Sequence, residues 1–498
     1  MKVYNGGRRQ GSATKSSLSI YHSLLYTYVP EHSRYTASGG FTVPPLPREL
    51  ESFILEKMSR YRMPSLTLSA FKGGDVFQAS YGYSSIEKGS PASVDTAYGI
   101  GSITKSFTAL AVLALEEEGK LSLDDPVGNH LGIDLEVEGQ PITLEHLLTH
   151  TSGVPATAYA EALLRGFLGV GGYWKPYSRP WDAVLYLKRA IDKGWAVSKP
   201  GRRFFYLNEG YVALGIVVER SSGYSYEEYI RRLVFEKLGM TSSGFIGERL
   251  EHAATPYKPG DRLEPVPLPA GITADGGIMS TARDMLRYVE SLARGEFRGY
   301  AERMEKPRVR VPWQALGGEA YGYGLIIYPD FMGGRLASHG GSLLAYTAWM
   351  GYSTRLDSGV VLLSNTTGYP LAAMGMAVLS VLSGGSHLDP KPVRALEIVE
   401  RLEGYYEGFD SSIAFNIRRV GTGLLVEPVG GVGSPMALSP REIPGPGELE
   451  AGEGSVVFVS PYMGGVLEVE FNWSGERVEA LLERYRLVKR GPARMPGV

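Results

Sequence analysis

Ser102, Ile103, Thr104 and Lys105 set a hydroxyl and an amine three residues apart at the head of an apolar run. Serine is a weak nucleophile until a base removes its proton. On a helix, positions i and i+3 share a face, so Lys105 can bring its amine beside the Ser102 oxygen. The unpaired N–H groups of a helix's first turn also favour negative charge developing there. The same S-x-x-K spacing recurs at Ser12, Ser69 and Ser85, so spacing alone does not single out Ser102. Context does. Ser102 follows a strand-like segment and the turn Tyr98-Gly99-Ile100-Gly101, and it opens the helical pattern SITKSFTALAVLALEEEGK. Ser69 lies inside a strand pattern and Ser12 in an irregular stretch.

A second element is Tyr206-Leu207-Asn208. A phenol beside an ammonium is drawn towards phenolate, and it could take the serine proton and return it to a leaving group. Asn208 could hold the lysine amine or a substrate amide; equally, the pair could be a buried Tyr and a turn Asn. A third element is His339-Gly340-Gly341-Ser342, just ahead of the strand-like AYTAWMGY. Its glycines let backbone approach a ligand closely. H-x-G also occurs at His130, but only His339 follows the other two elements and borders a strand.

Taken in this order, S-x-x-K, Y-x-N and H-x-G resemble the serine β-lactamase and penicillin-binding-protein superfamily. The nearest likeness is to class C β-lactamases, D-aminopeptidases, D-alanyl-D-alanine carboxypeptidases and related esterases. LSLDDPV, LLTHTSG and DGGIMSTARDM strengthen the likeness, which spans roughly residues 46–385. The resemblance implies Ser102 as the acylated nucleophile, with Lys105 and Tyr206 sharing acid–base work. It implies Asn208, His339, Gly341 and Ser342 at the substrate, with the N–H groups of Ser102 and Ser342 as the oxyanion hole. His339 would stand where many members carry the Lys of K-T-G. An imidazole is only partly charged near neutral pH, which moves preference away from substrates with a free carboxylate. Which of Lys105 and Tyr206 is the base stays open, because each needs a pKa moved from about 10 towards neutrality.

The elements that must position these residues are legible in outline. The chain has 498 residues, 43% hydrophobic and 21% charged, enough for two or three domains. Residues 1–44 show no sustained period and read as an extension. Leu50, Phe53, Ile54 and Met58 recur at helical spacing, with Pro64 as a stop. SLTLSAF alternates like a half-buried strand, and VFQASYGY returns from a Gly73-Gly74-Asp75 turn. TLEHLLTHTSG, YEEYIRRLVFEKLGM and TARDMLRYVESLARG read as helices in the middle of the chain. YGYGLIIYP, GRLASHGG, AYTAWMGYS and SGVVLLSN suit a meander, closed by the helix PLAAMGMAVLSVLSG. HLDPKPVRA reads as a linker. SIAFNIRRV, GLLVEPV, SVVFVS and VLEVEFNW then predict a separate all-β domain, a sandwich or small barrel. GGYWKPYSRPWDAVLYL either borders a substrate pocket as a loop or covers the core.

The expected fold is therefore α+β, an antiparallel sheet flanked by helices, plus a C-terminal all-β domain that the resemblance makes lipocalin-like. The expected divisions are 1–44, 45–388 and 389–498. In relatives, such a β domain shapes access or assembly, so a homo-oligomer is one outcome; a packed scaffold is another. The net charge of -2 gives no nucleic-acid footprint, and no apolar run approaches the ~18 residues of a membrane span. The N-terminus makes a poor secretory signal, so the expected location is cytoplasmic. Without cysteine there is no thiol chemistry. His146 and His150 stand at i, i+4 without an evident third ligand, so no metal and no cofactor is called for. The function expected is a serine hydrolase acting through an acyl-enzyme on small peptides, D-residues included. A carboxylesterase or β-lactamase-like amidase is the alternative, and a catalytically silent binding or assembly protein is the alternative of another class.

Overall fold

The computed structural model describes residues 44–156, 179–258, 263–267, 273–314, 316–343, 345–430, 434–462, 465–482 and 485–493. The expected extension over 1–44, the Ser12 motif and the first half of the aromatic-rich stretch lie almost wholly outside them.

A nine-stranded antiparallel sheet forms the centre of the first part of the chain among the described residues. In chain order its strands are β1 (Ser65–Lys72), β2 (Asp75–Ser85), β3 (Ser90–Pro91), β4 (Val309–Arg310), β5 (Ala320–Tyr321), β6 (Ile326–Phe331), β7 (Gly334–Leu343), β8 (Tyr346–Ser353) and β9 (Ser358–Ser364). The spatial order is β4-β5-β6-β7-β8-β9-β1-β2-β3. The expected meander is thus present, and β9 returns to pair with β1, Leu68 opposite Leu362. Every residue of β9 is buried, as a strand covered on both faces requires. Val360 and Leu362 face one core, Val361 and Leu363 the other.

SLTLSAF corrects one expectation. β1 is buried on both faces rather than one. Two of its small polar residues find partners inside: the Ser65 hydroxyl donates to Asn365 Oδ1 at 2.7 Å, and Gln78 donates to the Ser69 Oγ at 3.3 Å. Strand alternation signalled two interiors here, one lined by Leu66, Leu68 and Ala70 and one containing the buried hydroxyls of Ser65, Thr67 and Ser69.

Helix α1 (Arg48–Arg60) lies ahead of the sheet, followed by α2 (Thr104–Glu117), α3 (Pro180–Asp192), α4 (Asn208–Ser222), α5 (Ala282–Arg294), α6 (Leu371–Leu382) and α7 (Lys391–Leu402). α2 is buried on every side from Thr104 to Leu115, because no charge separates Ser106 from Leu115. It packs among α4, α5 and the sheet, with Phe107 stacked on Tyr288 at 3.8 Å. The second half of the aromatic-rich stretch is the helix α3, burying Ala183, Val184 and Leu187, so that part covers the core and is not a loop.

The expected linker is also corrected. It leads straight into α7, whose first turn accommodates Pro392, where a missing N–H costs nothing. Val393, Leu396 and Val399 are buried on its inner face. Beyond it, eight strands close into a barrel: β10 (Gly404–Glu407), β11 (Ala414–Val420), β12 (Gly423–Pro428), β13 (Met436–Pro440), β14 (Glu453–Tyr462), β15 (Gly465–Ser474), β16 (Arg477–Leu482) and β17 (Tyr485–Gly491). β17 pairs with β10 to complete the ring, which removes the free edges a sandwich would keep. Tyr406, Phe458, Phe471 and Trp473 are buried in its core.

Two helices tie the barrel to the sheet domain. Lys57 of α1, fully buried, lies 2.6 Å from Glu397 and 2.8 Å from Glu400 of α7. Glu400 also takes the Tyr61 hydroxyl. The two carboxylates beside Lys57 hold its ammonium above the usual lysine range against the opposing effect of burial.

Candidate active site

Ser102 sits in a single 3-10 turn, Gly101–Ile103, that runs into α2. Two glycines set this turn against β7. Gly101 has φ +50°, and a Cβ there would come within 2.8 Å of the Ser342 nitrogen. A Cβ on Gly341 would lie 1.8 Å from the Ile100 carbonyl oxygen. Backbone therefore meets backbone, and the main chain of Ser342 comes directly beside the turn that carries Ser102.

The Lys105 Nζ donates to Ser102 Oγ at 3.0 Å and to the Asp275 carbonyl at 2.6 Å. Lys105 is wholly buried. Burial disfavours its charge, and despite the opposing fields of Asp275 and Glu209 its pKa is pushed down to about 8. Tyr206 lies in the stretch ahead of α4, with the Ser102 side chain near enough to its hydroxyl to favour the phenolate. The Lys105 amine stands 4.9 Å from the centroid of its ring and 5.6 Å from that of Tyr211. Burial outweighs the opposing influence of Ser102 and raises the Tyr206 pKa well above that of a free phenol. The structure thus brings Ser102, Lys105 and Tyr206 together. Of the two bases, the amine is the one whose neutral form is accessible near physiological pH.

His339 lies on β7, 2% exposed, opposite Met350 of β8. Its Nδ1 donates to the Gly340 carbonyl at 2.6 Å, and its Nε2 accepts from the Tyr321 hydroxyl at 3.1 Å. Burial, then the field of Lys105, push its pKa down to about 3. The imidazole is therefore neutral at working pH. Its ring centroid is 6.4 Å from that of Tyr206. Gly341 and Ser342 follow on the same strand, and Ser342 is exposed. Asn208 opens α4 two residues after Tyr206 and is half-buried. Among the described residues, the lysine amine's hydrogen bonds go to Ser102 and the Asp275 carbonyl, so a main-chain oxygen holds it.

Asp275 lies in the DGGIMSTARDM stretch, but a carbonyl has no residue-type signature that could have assigned it this place. His150, Tyr211 and Tyr321 also border the site, and neither periodicity nor spacing marks them for it. His150 is buried with its ring 4.3 Å from Tyr206, 5.0 Å from Tyr211 and 4.9 Å from Tyr321. Phe204 continues this aromatic wall outward to Trp313, 5.4 Å away and 43% exposed. His146 and His150 do not form a metal pair: each uses Nδ1 to accept a main-chain N–H, from Thr143 and Leu207 respectively. Among the described residues no group of three or more His, Asp or Glu side chains could hold a metal ion. None of their helices is long and apolar enough to cross a membrane.

A sheet between helices that brings a serine, a lysine and a phenol together defines a class of serine hydrolase. The chain belongs to the β-lactamase family: the family's model matches residues 50–383. A second model, described as the Pab87 octamerisation domain, matches residues 391–488, the barrel and the helix before it. The structure of an octameric penicillin-binding protein homologue from Pyrococcus abyssi is 40% identical, with a TM-score of 0.81, over 89% of this chain and 99% of that one. Penicillin-binding protein 4* of Bacillus subtilis (strain 168) is 29% identical over 311 residues, 58% of this chain. The match spans 64% of that protein's length. A penicillin-binding protein from Bacillus halodurans is 28% identical, with a TM-score of 0.56, over 68% of this chain and all of its own.

Proposed function

We propose that this chain hydrolyses small peptides, D-residue peptides included, through an acyl-enzyme on Ser102. Lys105 in its neutral form takes the Ser102 proton as the oxygen attacks the carbonyl carbon. Tyr206 delivers a proton to the leaving amine and takes one back from the Lys105 ammonium; water then attacks the ester, its proton passing to Lys105, which returns a proton to the departing Ser102 oxygen. The N–H groups of Ser102 and Ser342 receive the tetrahedral oxyanion. Asn208, His339 and Gly341 line the substrate. The observation that carries this reading is the buried Lys105 amine, 3.0 Å from Ser102 Oγ with its pKa near 8. A neutral His339 offers no cation to a substrate carboxylate, which favours amides and esters without one. A carboxylesterase or β-lactamase-like amidase is the second reading.

Intact mass after exposure to D-amino-acid amides, N-blocked peptides, esters and β-lactams tests both, with Ser102→Ala as control. An adduct on the native chain alone supports the nucleophile, and its mass gives the acyl class. Adducts that persist on Ser102→Ala overturn the assignment. A chain that turns over none of these and takes no fluorophosphonate is the catalytically silent protein.

The proposal extends to organisation. The divisions 1–44, 45–388 and 389–498 are our reading of the domain limits. The barrel places Phe409, Val420 and Val466 at 85%, 62% and 63% exposure, apolar surface that a further copy of the chain would cover. The octameric relative supports a homo-oligomer, and light scattering of the full chain decides it.

A further inference from the structure

We propose that His150 is the positioning residue for the Tyr206 phenol, an inference that rests on the hydrolase reading above. The peptide N–H groups on both sides of Tyr206 end on this one residue. Phe205 donates its N–H to the His150 carbonyl at 2.8 Å. Leu207 donates its N–H to His150 Nδ1 at 3.0 Å. In an extended segment, residues i and i+2 direct their N–H groups to the same side. His150 meets both, one with its main chain and one with its side chain, and so substitutes for a partner strand over the three residues that carry the phenol.

The backbone explains how one residue does this. His150 has φ +58°, a conformation that non-glycine residues rarely adopt. It turns the chain at the end of the Leu144–Leu148 helix so that carbonyl and imidazole serve the same segment. Strain of this kind costs on the order of 1–3 kcal/mol and persists only where surrounding structure enforces it. The enforcement is visible on the residues that follow: Gly201 donates its N–H to the Thr151 carbonyl at 2.8 Å, and Val197 to that of Gly153 at 2.9 Å. Residues 150–153 therefore act as a rail along which the 197–207 segment is registered.

The imidazole also supports the phenol ring itself, centroid to centroid at 4.3 Å and 35°. Because Nδ1 accepts from Leu207, the ring proton is on Nε2. Burial, then the field of Lys105, hold the imidazole neutral, so Nδ1 remains an acceptor throughout the working range. Tyr206 can then rest on a fixed support while its hydroxyl orients the Ser102 oxygen for attack and meets the leaving group.

His150→Gly removes ring and acceptor without strain at positive φ. His150→Asn keeps an acceptor and tolerates the same backbone. Fluorophosphonate labelling of Ser102 and ester kinetics are measured on the full chain, alongside thermal midpoints and crystal structures. Misplacing a catalytic group by 1 Å can cost about 100-fold, so the glycine variant should label more than about 30-fold slower. Its KM should be unchanged within about threefold, since the defect lies in a proton-handling group rather than in binding. The asparagine variant should label within about fivefold of the native rate, and added imidazole should restore part of the glycine variant's loss. Native-rate labelling by the glycine variant overturns the proposal, as does an asparagine variant as slow as glycine. If glycine does not fold, asparagine at less than a tenth of the native rate is the overturning result and near-native labelling the supporting one. If the native chain takes no label, the hydrolase reading has failed. The phenol's place in the variant crystal structures then decides the positioning by itself, a fixed phenol overturning it.

Discussion

The Lys105 amine touches the Ser102 hydroxyl from within the protein, not from solvent, and the Asp275 carbonyl holds it from behind. With its pKa near 8, the amine loses its proton as pH rises through that value. The acylation rate should therefore rise about tenfold per pH unit below 8 and level off above it. Lys105→Arg keeps the cation at every pH and should lose at least about 100-fold. A pH–rate profile of ester hydrolysis checks both, and a flat profile from pH 6 to 10 would remove Lys105 from the role.

The same shift has a stability consequence with a definite sign. The unfolded lysine binds its proton up to about 10.5, the folded one only to about 8. Between those values the unfolded chain holds more protons, so stability rises with pH there. The native chain should gain on the order of 3 kcal/mol over that window relative to Lys105→Met. Denaturant titrations of the two at pH 7 and pH 10 measure it.

His339 acts in the acid range. Its folded pKa lies near 3, against about 6.5 unfolded. As pH falls below 6.5, the unfolded state takes up a proton that the folded state refuses. Stability should drop by about 1.4 kcal/mol per pH unit from this residue alone. Gln in its place keeps an acceptor for the Tyr321 hydroxyl without titrating. The pH slope of stability between 4 and 6 should be shallower in His339→Gln by about one proton.

Gly341 and Ile100 are in backbone contact that admits no Cβ. Gly341→Ala must push β7 away from the Ser102 turn. It should cost about 1–3 kcal/mol of stability and, by moving an oxyanion donor, about 100- to 1,000-fold in kcat. A variant with kcat unchanged would show that the Ser342 N–H is not used.

Lys57 links α1 to α7 inside the protein. Lys57→Met leaves Glu397 and Glu400 without their buried cation, and should destabilise the chain by about 3–5 kcal/mol. Adding Glu400→Gln should recover part of that loss. Chemical denaturation of the single and double variants provides the measure.

Local order was legible where sequence period and environment agree. The apolar run of β9, the turn between β1 and β2, and the helix behind Ser102 all follow from residue pattern. α7 was hidden because Pro390 and Pro392 resemble a linker, although a proline in the first helical turn is compatible with a helix. β1 departs from its sequence pattern because buried hydroxyls look, in sequence, like hydroxyls facing water.

The site divides in the same way. Ser102 and Lys105 are one helical turn apart, so their meeting is a local matter fixed by spacing. The sequence by itself determined that pair, the order of the motifs and the presence of a second all-β unit. Only the tertiary structure decided that the amine's main-chain partner is a carbonyl 170 residues away, that His150 supports Tyr206, and which nitrogen bases remain neutral. The reason is physical. A proton's affinity depends on how much water and charge surround the group, and no residue brings those surroundings with it along the chain.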